Sequence, residues 1–108
     1  MRYVVSGRLR QPCPLSPAEY LTLAIREWET VIEWLACGRA LAYGRLCAPG
    51  GGAILLDADS EAEARRLAAA LPFAPYAEVM VRRSDGASDT AALGRAVAGL
   101  LAGQDEST

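Results

Sequence analysis

Asp57-Ala58-Asp59-Ser60-Glu61-Ala62-Glu63, continued by Ala70-Leu71-Pro72-Phe73-Ala74-Pro75-Tyr76-Ala77-Glu78, is the stretch that decides the fold. It joins the end of one strand, a helix, a double-proline turn and the start of another strand. Ser60 and Glu63 have the spacing of a capping box, in which the serine side chain and the glutamate satisfy backbone N–H groups at a helix start. The helix should last to about Ala70. Pro72 and Pro75 then forbid its continuation, and Ala77 to Arg82 reads as a strand.

Working outward, Ala53 to Asp57 is the strand that leads into this helix. Ala48-Pro49-Gly50-Gly51-Gly52 reads as the turn before it, and residues 39–47 as its hairpin partner, with Leu41, Tyr43, Arg45 and Cys47 on one face. Further upstream, Ser16-Pro17-Ala18-Glu19 is a second capping box with proline at the first helical position. That helix should run to about Cys37, where Gly38 ends it. Residues 2–10 alternate as a strand, with Tyr3, Val5, Gly7 and Leu9 on one face, until Pro12 and Pro14 break it. The order is β-α-β-β-α-β, a ferredoxin-like α+β unit. Its helices cover one sheet face, so the other face should need a partner.

The unit should occupy residues 1–82. A polar linker, 83–89, separates it from an amphipathic helix at 90–103 that carries Leu93, Ala96, Val97, Leu100 and Leu101, and residues 104–108 should be a disordered tail.

Composition narrows the chemistry. The chain has 108 residues, enough for one core, and its net charge of −2 gives no general attraction to nucleic acid or anionic membrane. No apolar run approaches the ~20 residues of a membrane span, and no signal peptide is visible, so a cytoplasmic protein is expected. Histidine and lysine are absent, and all 11 basic residues are arginine. Histidine bases, histidine metal ligands and lysine Schiff bases are therefore excluded. Proton chemistry falls to Asp, Glu, Tyr, Cys or water. The 3 cysteines, Cys13, Cys37 and Cys47, are widely spaced and form no metal or redox motif. No cofactor and no metal are expected.

Over residues 1 to about 82 the chain resembles the muconolactone Δ-isomerase family. The likeness rests on the strand-proline-helix opening, Glu27, Arg45, Asp57 at a strand end, and the Leu71-Pro72-Phe73-Ala74-Pro75-Tyr76 turn. It implies a dimeric α+β barrel, assembly as a homodimer or higher homo-oligomer with a decamer possible, and proton relocation in a small unsaturated lactone. The family's second strand carries a Trp-Arg-His-Leu-Trp-Arg run, of which Ala40-Leu41-Ala42-Tyr43-Gly44-Arg45 keeps the final arginine. Its next turn supplies His, Tyr and Asn, where this chain has Pro49 and Gly50 to Gly52. The departures imply a different and more apolar ligand.

Glu27 leads the candidate catalytic residues. Around the first helix, Tyr20, Ala24, Trp28, Val31 and Leu35 share a face, and Glu27 falls within this apolar arc near Tyr20, Val31 and Trp34. Desolvation there raises a carboxyl pKa toward the range useful for abstracting a carbon-bound proton. A structural ion pair with Arg45 is the competing reading. Arg45 itself suits a carboxylate or enolate oxygen. Tyr76 could donate to an oxyanion, and Glu78, reckoned on the same strand face as Met80, could be a second acid or base. Tyr3, Tyr20, Trp28 and Tyr43 are candidate substrate-binding residues, with core or interface packing as the alternative for Trp28 and Trp34. Gly50-Gly51-Gly52 lacks the lysine and helix of a phosphate loop and reads as a flexible turn. Cys47 has no histidine to activate it.

The expected activity is an isomerase or cyclase acting by acid–base proton transfer on a small unsaturated lactone, enol or polyketide-like metabolite. The alternatives are a cofactor-free monooxygenase on the same fold, or a non-catalytic ligand-binding or assembly module.

Overall fold

The computed structural model describes residues 1–46 and 51–84, together with Gly94, Arg95 and Ala98, which are helical. Arg83, expected in the linker, is the last residue of a strand, and Ser84 is also described; the rest of the linker, the rest of the expected 90–103 helix and the tail lie outside the described residues. Within residues 1–46 and 51–84, four strands and two helices follow one another as β1 (Arg2–Leu9), α1 (Pro17–Cys37), β2 (Ala40–Leu46), β3 (Gly51–Asp57), α2 (Glu61–Ala69), a 3₁₀ turn (Ala74–Tyr76) and β4 (Ala77–Arg83). The strands form one antiparallel sheet in the order β2-β3-β1-β4. This is the ferredoxin-like α+β arrangement expected from the order of elements.

The helix boundaries follow from local chemistry. At the start of α1, Ser16 Oγ accepts from Glu19 N (3.1 Å) while Glu19 Oε1 accepts from Ser16 N (3.0 Å), a complete capping box. Gly38 closes the helix at φ 82°, a left-handed conformation that suits a residue without Cβ. The start of α2 differs in detail from the expected box. Ser60 Oγ accepts from Glu63 N (3.1 Å), but the Glu63 carboxylate reaches one residue further back, to Asp59 N (3.3 Å).

Register sorts the side chains into two layers. Val5 pairs with Ile54 on one side and Val81 on the other. Val5, Ile54 and Leu56 pack with Val31 and Trp34 of α1 and Ala68 of α2, forming the main core. Leu9 and Ala77 continue it with Ala24 and Phe73. The opposite face carries a smaller cluster of Val4, Ala53 and Leu55 beside Ala42. These three side chains are buried within the single chain.

Two boundaries shift. Gly51 and Gly52 belong to β3 and not to the preceding turn, pairing with Arg8 and Gly7. The pairing of β2 with β3 slips between Ala40 and Ala42, the mark of an extra residue in the ladder. Ala40 is therefore buried against the helices, while Leu41, expected beside Tyr43, is exposed.

Candidate functional site

A cleft opens between the sheet and the helix layer, and its floor is made by missing side chains. Gly7 of β1 pairs directly with Gly52 of β3, and the row continues to Val79 of β4 and to the Arg45 position of β2. The glycines leave the helix face of the sheet empty at the centre of this row. Leu9, Ile54, Leu71 and Phe73 wall the space, and Ala68 of α2 contributes only a methyl group. The cleft contains ≈ 620 Å³ of atom-free space, counted out to its open mouth.

Among the described residues, the polar side chains of Glu27 and Tyr20 from α1 and of Tyr43 from β2 line this apolar cleft. Tyr20 and Glu27 are two turns apart on one side of the helix. All three are half-buried. The Tyr20 ring also leans on Phe73, with centroids 5.2 Å apart and planes 42° from parallel, which ties the helix to the double-proline turn. Arg10 fixes the same turn from the end of β1, its N–H bonding Tyr76 O (3.0 Å) and its Nη1 donating to Pro75 O (3.2 Å). One carboxyl and two phenols in an apolar cleft form a set that can accept, hold and return a proton and donate to a developing oxyanion.

The other candidates are placed elsewhere. Tyr3 is core: it is 3% exposed, packs with Ala58 and Ala64, and directs its hydroxyl toward Met1 Sδ (3.9 Å). Trp28 is 54% exposed, because the buried edge of α1 is Tyr20, Ala24, Glu27, Val31 and Trp34. Tyr76 packs beside the Leu9 and Phe73 cluster and does not line the cleft. Glu78 pairs in register with Arg8 on the sheet face away from the helices, one residue out of phase with Ala77 and Val79. Counting Glu78 with the site required the opposite strand phase. Arg45 holds a backbone position on the floor row, and its side chain lies outside the described residues, as does Cys47. Among the described residues no group of three His, Cys, Asp or Glu side chains could hold a metal ion. No described helix is long and apolar enough to cross a membrane.

The feature missed in the sequence is the glycine floor. Gly7 is a small residue on the otherwise bulky face of β1, opposite a run of glycines in β3. That pairing was the available signal.

No family model matches the chain, and no curated protein sequence does. Among solved structures it is similar to muconolactone isomerase, with a TM-score of 0.67 and 20% sequence identity over 82% of this chain and 94% of that one. The element order, the sheet topology and this superposition agree, and the chain has the fold of muconolactone isomerase.

Proposed function

We propose that the cleft catalyses proton relocation in a small unsaturated, oxygenated molecule of the lactone or enol class, as an isomerase or as a cyclase whose first step is the same enolisation. The observation that carries this reading is Glu27, a carboxyl half-buried in a cleft whose other walls are mainly apolar. Its carboxylate takes a proton from a carbon adjacent to an unsaturated carbonyl group. The bonding pair moves into the conjugated system as an enolate. The protonated Glu27 then returns the proton at another carbon, so that the double bond shifts and atoms balance.

Tyr20 and Tyr43, rather than Tyr76, take the oxyanion-donor role, since they line the cleft and Tyr76 does not. Arg45 is assigned the substrate's acidic or enolate oxygen, on the strength of its position in the floor row. A positioned acid–base group of this kind contributes roughly 10²–10⁴-fold to the rate. The solved muconolactone isomerase with the same fold makes an unsaturated lactone the first substrate to try.

The test is hydrogen exchange by NMR with muconolactone in D₂O, comparing the parent chain with Glu27→Gln. Deuterium incorporation or double-bond migration should fall by roughly 10²-fold or more in the variant, with thermal unfolding unchanged. Parental exchange in Glu27→Gln would remove Glu27 from the mechanism. Binding without exchange in both proteins would favour a ligand-binding module.

A further inference from the structure

Helix α1 carries a second apolar stripe that its own domain does not cover. Leu21, Ile25, Trp28, Ile32 and Leu35 are 61%, 52%, 54%, 59% and 41% exposed. Their spacing is four, three, four, three, the heptad seam by which one helix packs along another. At 100° per residue the stripe is centred about 100° around the helix from the buried edge. It is therefore a separate surface, and no charged residue interrupts it. Together these side chains expose about 500 Å² of apolar surface, near the upper end of the largest patches that soluble monomers carry.

We propose that this stripe pairs with the same stripe of a second copy of the chain, as an antiparallel helix pair about a two-fold axis. Two properties select a second copy over other occupants. The first is order: read in either direction, the stripe is Leu, Ile, Trp, Ile, Leu. A copy turned end for end presents the same sequence of sizes, which is what a two-fold contact requires, since each residue i that meets j must also be met by j. The second is area. Closing two such stripes removes at most about 1,000 Å² of apolar surface from water before the rim is counted, at the threshold for a specific protein–protein interface. The stripe lies on the flank of α1 and shares no residue with the lining of the cleft.

Trp28 reports on the contact directly. Trp34 is 6% exposed within the chain and stays shielded whatever the assembly state. A concentration-dependent blue shift of tryptophan emission, with loss of acrylamide quenching, therefore belongs to Trp28. The experiment measures emission, quenching and mass by light scattering across a dilution series, for the full chain and for Ile25→Glu/Ile32→Glu. Both positions are exposed, so the variant should keep the parental unfolding temperature. The expected result is that Trp28 becomes shielded as the mass rises by one step, and that the double substitution raises the dissociation constant of that step by roughly 10²-fold or more. Three results would overturn the proposal: association unaffected by the double substitution, Trp28 already shielded in the dilute monomer, or a chain that stays monomeric with Trp28 quenchable at high concentration.

Discussion

Gly7→Ala separates the cleft from the core more cleanly than any substitution of a polar residue. A Cβ built on Gly7 meets Glu78 O at 3.6 Å and Val79 Cγ2 at 3.8 Å, ordinary van der Waals contact, so the sheet accommodates it. Gly7 lies in a strand without a positive φ. Alanine there restricts the unfolded chain and should stabilise the fold by about 0.5–1 kcal/mol, which in a domain of this size raises Tm by about 2–6 °C. The same methyl group rises from the floor of the cleft. It takes room at the centre of the glycine row. A ligand that uses the full depth then suffers overpacking, and its affinity should fall roughly tenfold or more. Stability and function are thus expected to move in opposite directions. Circular dichroism melting gives the first quantity, and the muconolactone exchange assay with a saturation-transfer titration gives the second. A Tm drop of several degrees would refute the geometry of the floor. A stable variant with unchanged affinity and exchange would refute the cleft as the site.

Gly51→Ala is the contrasting substitution: its Cβ would lie 2.8 Å from Gly7 O, a backbone atom that cannot swing aside, so β1 and β3 must part and Tm should fall. Leu56 is fully buried, and Leu56→Ala should destabilise by about 2–5 kcal/mol, read from urea unfolding. Glu78→Gln, on the opposite sheet face, should leave exchange at the parental rate, and a large loss would restore Glu78 to the site. Glu19 has its pKa held below the ordinary value of 4.5, first by the backbone N–H of Ser16 and then by the Ser16 side chain. A depressed folded-state pKa stabilises above the unfolded value and is lost as pH falls through the folded one. Glu19→Gln should therefore flatten the acid side of the stability curve below about pH 4.5, checked by melting between pH 3 and pH 6.

The elements were legible because their punctuation is chemical. Ser16, Pro17 and Gly38 bound α1 by capping and by the left-handed conformation at its end, and neither depends on distant contacts. Sheet phase was less legible. Strict alternation put Leu41 with Tyr43, but the slip between Ala40 and Ala42 resets the phase, and no local signal marks where the extra residue is absorbed. The phase of Glu78 is likewise set at a distance, by pairing with Arg8, a partner 70 positions away in the sequence.

The site divides along the same line. Glu27 could be found from periodicity because it interrupts an apolar arc, and an interruption survives a modest error in the rotation of the helix. Trp28 could not be placed in this way. Apolar residues cover an arc of about 180° on α1, wider than the ~100° a single buried stripe needs. Periodicity alone cannot choose which half meets the sheet. The sheet chooses: Val5, Ile54 and Leu56 take Val31 and Trp34, and the half bearing Trp28 is turned outward. The excess of apolar residues that blurred the reading of the sequence is then the surface left over for a second chain. One helix thus serves two ends at once, holding Glu27 over the glycine floor from its inner edge and offering Leu21 to Leu35 to a partner from its outer one.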